Sequence, residues 1–177
     1  MIFYITLIFI FKQYNMNTYK KFLEIDLVEG KNGEKVVLNY LIEKGFQLIK
    51  ENDDYRYDLE MSTPDGSIQT YEVKRDKYIC SDSIEFNLYI EFNAWYKPSG
   101  IKTTKSDWYC YYIPNKEELW FIKTSVLKQL INDEDEITIK DCNYKKEPTK
   151  GYLIPTQLFK QHFLIKKIKN ENKLKIN

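Results

Sequence analysis

Two carboxylates and a lysine carry the chemistry that can be read from this chain: Asp58 and, after thirteen intervening residues, the run Glu72-Val73-Lys74. Side chains alternate along a strand, so Glu72 and Lys74 share one face of any strand that holds them. A hairpin folding 56–61 onto 68–75 would bring Asp58 beside that pair. Carboxylate oxygens are hard donors suited to Mg²⁺. A bound Mg²⁺ lowers the pKa of a water and neutralises charge developing on a scissile phosphate. The lysine would orient or deprotonate the attacking water. Desolvation would lower its pKa for the base role, whereas neighbouring carboxylates oppose that. Metal-assisted phosphodiester hydrolysis is the implied chemistry. The plainer alternative is a solvated strand face with an i,i+2 charge pair, but a carboxylate among apolar neighbours with no cation is costly to bury.

The elements that must position these groups follow from local pattern. Residues 33–44, GEKVVLNYLIEK, have Val37, Tyr40, Leu41 and Lys44 at helical spacing, and Gly45 stands where a helix C-cap wants a left-handed residue. FQLIK (46–50) reads as a short strand and 52–54 as a turn. RYDLEM (56–61) and IQTYEVKR (68–75) read as strands joined by TPDGS (63–67), with proline at the second turn position and Asp-Gly after it. Further strands are expected at 84–92, 107–113 and 118–122, with a loop over 93–106. Thr124 can cap a helix SVLKQLI, and Thr156 a second helix QLFKQHFLIKKI after one more short strand. The order predicts one α/β domain with a central mixed sheet of about five strands flanked by helices.

Composition narrows the class. The chain has 177 residues, 43% hydrophobic and 30% charged, enough apolar material for a packed core. Net charge is +1, and 27 basic residues include only two arginines, Arg56 and Arg75, so bulk charge does not announce a nucleic-acid binder. Three separated cysteines, Cys80, Cys110 and Cys142, argue against a disulfide framework or a zinc site and for a reducing, intracellular setting. The single histidine, His162, excludes a histidine-rich metal site and most histidine-based triads. The apolar start MIFYITLIFIF is too short for a spanning helix, which needs about 20 residues, and it lacks signal-peptide features. Translation is expected to begin at Met16, leaving 1–16 as an extension, 17–165 as the domain and 166–177 as a basic tail, with no membrane association. An added edge strand or a hydrophobic anchor is the alternative for the first segment.

With these residues in view, the sequence resembles the PD-(D/E)XK nuclease superfamily, whose fold is restriction-endonuclease-like. The motif stands here as Asp58, thirteen residues, then Glu72-Val73-Lys74. GEKVVLNYLIEKGFQLI (33–49) is similar to the opening helix of the archaeal Holliday-junction-resolvase-like branch, and Glu34 matches a glutamate that completes the site there. IEFNAWYKPSGIKTTKSDWYCYY (90–112) is similar to a block in uncharacterised phage and large-DNA-virus members. The resemblance covers roughly 33–125 and departs at Tyr57, where the family often has proline; the literal Pro-Asp at 64–65 lies in the turn and is the weaker match.

The resemblance implies a Mg²⁺-dependent DNA endonuclease, with Mn²⁺ able to substitute, acting on branched DNA or in phage or viral restriction or repair. Asp58 and Glu72 would ligate the metal and the Val73 carbonyl would add a third oxygen. Lys74 would position water, and Glu34 would hold a metal water or a second ion. The loop residues Ser99, Lys102, Thr103, Thr104 and Lys105 would touch the phosphate backbone, by lysines, hydroxyls and free backbone N–H groups. A homodimer would supply two sites for two strands. The rival from another class is a catalytically inactive nuclease-like module that binds nucleic acid or protein. Individual residues keep plainer readings too. Glu34 in a first helical turn is favoured by the macrodipole alone. Glu91 is an outer carboxylate or an ion-pair partner. Trp95, Tyr96 and Trp108 stack on bases or, the favoured reading, pack beneath the loop.

Overall fold

The computed structural model describes residues 27–52, 56–144 and 147–168, and the expectations for 1–16, for most of the basic tail and for the turn residues 53–54 lie outside them. The chain divides into two compact units, 1–32 and 33–177. Of the first, 27–32 are described and are helical. The rest concerns the second.

Helix α1, within this unit over 33–43, ends where Gly45 predicts: Gly45 N–H donates to the Ile42 carbonyl at 2.9 Å and Phe46 N–H to the Leu41 carbonyl at 3.1 Å, satisfying terminal carbonyls. The strands β1 (Gln47–Glu51), β2 (Leu59–Ser62) and β3 (Ile68–Arg75) form an antiparallel meander. Next come β4 (Asn87–Ala94), β5 (Lys97–Pro98), β6 (Trp108–Ile113), β7 (Glu118–Lys123), α2 (Thr124–Asp133), β8 (Thr138–Tyr144), β9 (Glu147–Pro155), the single-turn α3 (Thr156–Phe159) and β10 (Leu164–Lys167).

The fold is mixed α/β, built on two sheets. The larger has six strands in the order β1-β2-β3-β6-β7-β10, antiparallel except for the parallel pair β3–β6. The smaller has the order β5-β4-β9-β8. The expected central mixed sheet of about five strands is present with six, and two element assignments differ. The strand expected at 84–92 is β4, and it pairs with β9 in the second sheet. The chain from Thr156 is not one long helix: α3 and a 3₁₀ turn at Lys160–His162 give way to β10, which pairs with β7 with Leu164 opposite Phe121. Satisfying the open edge of β7 outweighs the local helical spacing. Lys167, expected in a solvated tail, is in β10 and ion-pairs with Glu118 at 2.8 Å. The two threonines do not cap. Thr124 Oγ1 meets Ser106 Oγ at 3.0 Å, and Thr156 Oγ1 donates to the Phe86 carbonyl at 2.7 Å.

Period-two alternation sorts the large sheet's side chains into two cores. Tyr109, Tyr111 and Ile113 of β6, with Trp120 and Ile122 of β7, pack with Leu88, Ile90 and Phe92 of β4, Ile154 of β9 and Leu127 of α2. Cys110, Tyr112, Leu119 and Phe121 face the other way, onto Val37 and Leu41 of α1 with Leu59, Met61, Tyr71 and Val73. Burial of each such aliphatic side chain contributes roughly 1.5–3 kcal/mol. The consequence for the site is direct. Tyr71 and Val73 are committed to the α1 side, so Glu72 and Lys74 must point to the opposite face, the one that bears Tyr109 and Tyr111.

Candidate active site

Glu72 and Tyr109 are register partners across the parallel β3–β6 ladder, as are Lys74 and Tyr111. Glu72 is buried at 7% exposure. Its Oε1 accepts a 2.6 Å hydrogen bond from Lys74 Nζ, whose side chain keeps 36% of its surface exposed. Asp58 precedes β2, and its backbone is tied in by its own N–H to the Tyr71 carbonyl at 2.9 Å. The Asp58 carboxylate reaches across the hairpin to accept the Val73 N–H at 2.6 Å. Val73 therefore contributes its N–H to the carboxylate and its side chain to the core.

The electrostatics bind these groups into one unit. Burial first, and then the Glu72 charge, push the Asp58 carboxyl from 3.8 up to about 6, against opposing pulls from Lys74 and the Val73 N–H. Glu34 adds a small push in the same direction, so the helix glutamate lies within electrostatic reach of Asp58. Gly33, the residue before it, eases this: a Cβ there would stand 3.1 Å from Cβ of Arg75, at the end of β3, tighter than ordinary contact, so the bare backbone favours the close crossing of α1 over the strand. Burial works to lower the Lys74 pKa, but Glu72 and Asp58 outweigh it and hold the ammonium above the ordinary lysine value. Lys74 thus stands as a cation and a donor, which favours orienting the water over deprotonating it.

A cleft of about 390 Å³ opens beside the pair, lined by Glu72 and Lys74 on one side and by Glu91, Ser99, Gly100 and Thr103 on the other. Gly100 makes this wall possible. Its φ is +49°, and a Cβ would fall 2.3 Å from the Glu91 carbonyl oxygen, so only glycine lets the loop lie flat on β4. Two polar atoms at the site are buried without a partner, Ser99 Oγ and the Tyr109 hydroxyl. Burial, followed by the Glu72, Glu91 and Asp58 carboxylates, keeps the Tyr109 phenol well above its usual pKa, so it remains an O–H.

The expected site residues divide as follows. Asp58, Glu72 and Lys74 come together, with Glu34 at longer range. Ser99 and Thr103 reach the cleft. Lys105 is exposed, and Lys102 lays its ammonium 4.5 Å over the Phe92 ring. Thr104 does not fit the expected backbone-contact role. It is 3% exposed, and its hydroxyl donates to the Arg56 carbonyl at 2.9 Å and bonds Ser106 Oγ at 3.1 Å, so it anchors the loop. Asp65 is spent on its turn, its carboxyl held down to about 2 by the Thr63 hydroxyl and then Ser67. Trp95 and Tyr96 do not pack beneath the loop: they are 50% and 82% exposed.

Two residues gain weight: Glu91, which the sequence leaves between an outer carboxylate and an ion-pair partner, and Tyr109, which it does not assign. Glu91 becomes a wall of the same cleft as Glu72, and Tyr109 becomes a buried hydroxyl among three carboxylates. Glu91, on β4 of the smaller sheet, shares the cleft with Glu72, and Tyr109 lies beside Glu72 on the β3–β6 ladder; local pattern carries no signal for either pairing. Among the described residues, no three acidic, histidine or cysteine side chains converge on one point. The donor set still fits Mg²⁺, which keeps several waters and takes one or two carboxylates from protein. No helix among the described residues is long and apolar enough to cross a membrane. The chain matches no family model, no curated protein and no solved structure.

Proposed function

We propose that this protein is a Mg²⁺-dependent endonuclease that hydrolyses DNA phosphodiesters. The observation that carries the reading is the joining of Asp58 and Glu72 by one β-hairpin, with Lys74 bonded to Glu72 at 2.6 Å beside an open cleft. Asp58 and Glu72 are the groups that would hold the ion, and the bound ion would supply Lewis acidity and charge neutralisation. Lys74, kept as an ammonium, donates to the attacking water or to a non-bridging phosphate oxygen and offsets charge in the transition state. Ser99 and Thr103 bring hydroxyl-bearing residues to the cleft wall, whereas Tyr109, 0% exposed, does not line it. Glu91 shapes the far wall and disfavours an anion there unless a cation accompanies it.

Plasmid nicking tests this. Wild type is expected to nick in Mg²⁺ and not in EDTA, while Asp58→Asn and Lys74→Ala lose activity by at least about a hundredfold. Cleavage that survives both substitutions would point to another site. Comparing four-way junctions, flaps and linear duplexes then assigns the substrate, and sedimentation decides whether two copies act together, as a symmetric junction would require. A second reading, an inactive nucleic-acid-binding module, is favoured by the absence of three converging metal-ligand side chains among the described residues. Binding without any cleavage across that substrate panel would select it.

A further inference from the structure

The two-residue turn between β4 and β5 has a sequence at odds with its geometry. Ala94 and Lys97 pair across it, and the central residues Trp95 and Tyr96 have φ of +53° and +62°. Positive φ at both central positions is a type I′ hairpin turn, which favours Asn-Gly and disfavours large side chains. Two aromatic residues held left-handed would ordinarily be compensated by packing. Here they are 50% and 82% exposed. The fold thus presents two large rings to solvent at a strained tip.

The tip leads straight into the cleft. Pro98 and Ser99, which follow it, line the cavity with Glu72 and Lys74. Three residue-to-residue steps of extended chain at about 3.3 Å each lead from Tyr96 to Ser99, a span of about 10 Å, or about three stacked nucleotides at 3.4 Å. Lys97 is exposed at the base of the tip and Lys102 is exposed on the loop beyond it, so cationic groups accompany the rings. Rings that offer a flat π-face beside lysines suit unpaired nucleobases, because stacking is tolerant of sequence and needs a base out of its duplex.

We infer that Trp95 and Tyr96 form a base-stacking tip that binds unpaired nucleotides of DNA adjoining the strand in the cleft. This rests on the endonuclease reading and adds a substrate class to it: single-stranded or branched DNA, in preference to intact duplex.

The test uses the full chain in EDTA, where binding is separated from cleavage. Wild type and variants are titrated against a labelled short oligothymidylate and a labelled blunt duplex, with affinity read from the anisotropy of the label and tryptophan fluorescence followed in parallel. Trp120 is 3% exposed and Trp108 is half-buried, so quenching by a stacked base reports chiefly on Trp95. Trp95→Asn/Tyr96→Gly installs the residues the turn prefers. That double variant is expected to melt no lower than wild type and to bind the oligothymidylate about ten- to a hundredfold more weakly, with duplex affinity nearly unchanged. Trp95→Phe should keep most of the affinity and lose the quench. Unchanged oligothymidylate affinity in the double variant overturns the inference, as does a lower melting temperature, which would make the rings packing elements. A change in sedimentation between wild type and the double variant would reassign the tip to self-association. Wild type that cleaves DNA while the tip variant binds normally sinks this inference alone; wild type that neither binds nor cleaves any DNA sinks the endonuclease reading as well.

Discussion

Replacing Asp58 by asparagine should stabilise the metal-free protein while destroying its activity. In the folded state the Asp58 carboxyl is pushed from 3.8 to about 6, chiefly by burial and then by Glu72. A rise of about two units is worth about 3 kcal/mol, at about 1.4 kcal/mol per unit. Because the native pKa is the higher one, the native state binds the proton more tightly. Stability tied to this group is present in full below 3.8 and is lost as pH rises through about 6. At pH 7.5 wild type therefore carries the whole penalty of an ionised Asp58. Asparagine carries none, and its side-chain oxygen can still accept the Val73 N–H. The asparagine amide gives back about 1 kcal/mol where its N–H finds no acceptor, which leaves a net gain of about 2 kcal/mol. For a chain of this size the melting temperature should rise by about 4–8 °C. Thermal and urea unfolding in EDTA at pH 7.5, 5 and 4 reads this, with the advantage of the variant fading as pH falls. Mg²⁺ at about a hundred times its dissociation constant should add about 2.7 kcal/mol to wild type alone and reverse the order. A variant less stable than wild type in EDTA at pH 7.5, or an advantage that does not change with pH, would refute the electrostatic reasoning.

Other outcomes follow from the same contacts. Lys74→Ala strips the buried Glu72 of its 2.6 Å partner and should cost about 1–3 kcal/mol in urea unfolding besides abolishing nicking. Glu91→Gln should fold normally and lose about 10- to 100-fold in Mg²⁺ affinity or cleavage rate, as groups just outside a metal's own ligands do; an unchanged rate would return Glu91 to a purely structural role. Lys102→Ala and Lys105→Ala should each weaken DNA binding uniformly across sequences and reduce the salt slope by about 1, whereas Thr104→Val should lower stability by about 1–2 kcal/mol and leave that slope unchanged. Leu41→Ala, at 4% exposure between α1 and the sheet, should cost about 2–5 kcal/mol in unfolding free energy.

What the sequence discloses and what it hides have physical causes. The hairpin carrying Asp58 and Glu72 was legible because the Pro-Asp-Gly turn fixes its register, and β3 runs Ile68–Arg75 as the alternation predicts. The end of α1 was legible because Gly45 sits at a position with a stereochemical requirement. Strand membership was not: 84–92 reads as a strand, but nothing within it says that Ile90 faces Tyr152 of β9 instead of the β3 meander. The second sheet was hidden because β8 and β9 interrupt their alternation with Asp141, Pro148 and Gly151. β10 was misread because LIKK also fits a helical period, and only the partner strand β7 decides between the two. At the site, Asp58 and Glu72 were found from spacing, Glu91 stands between two roles until Gly100 lays a loop against it, and Tyr109 emerges only when β6 pairs with β3.

The most direct test is a titration of Mn²⁺ into the protein, read by electron paramagnetic resonance, for wild type, Asp58→Asn and Glu72→Gln. The hairpin arrangement predicts a bound ion in wild type that Mg²⁺ displaces, with affinity lost by at least about tenfold in each variant alone. Equal Mn²⁺ binding in all three proteins would contradict a shared ion between Asp58 and Glu72.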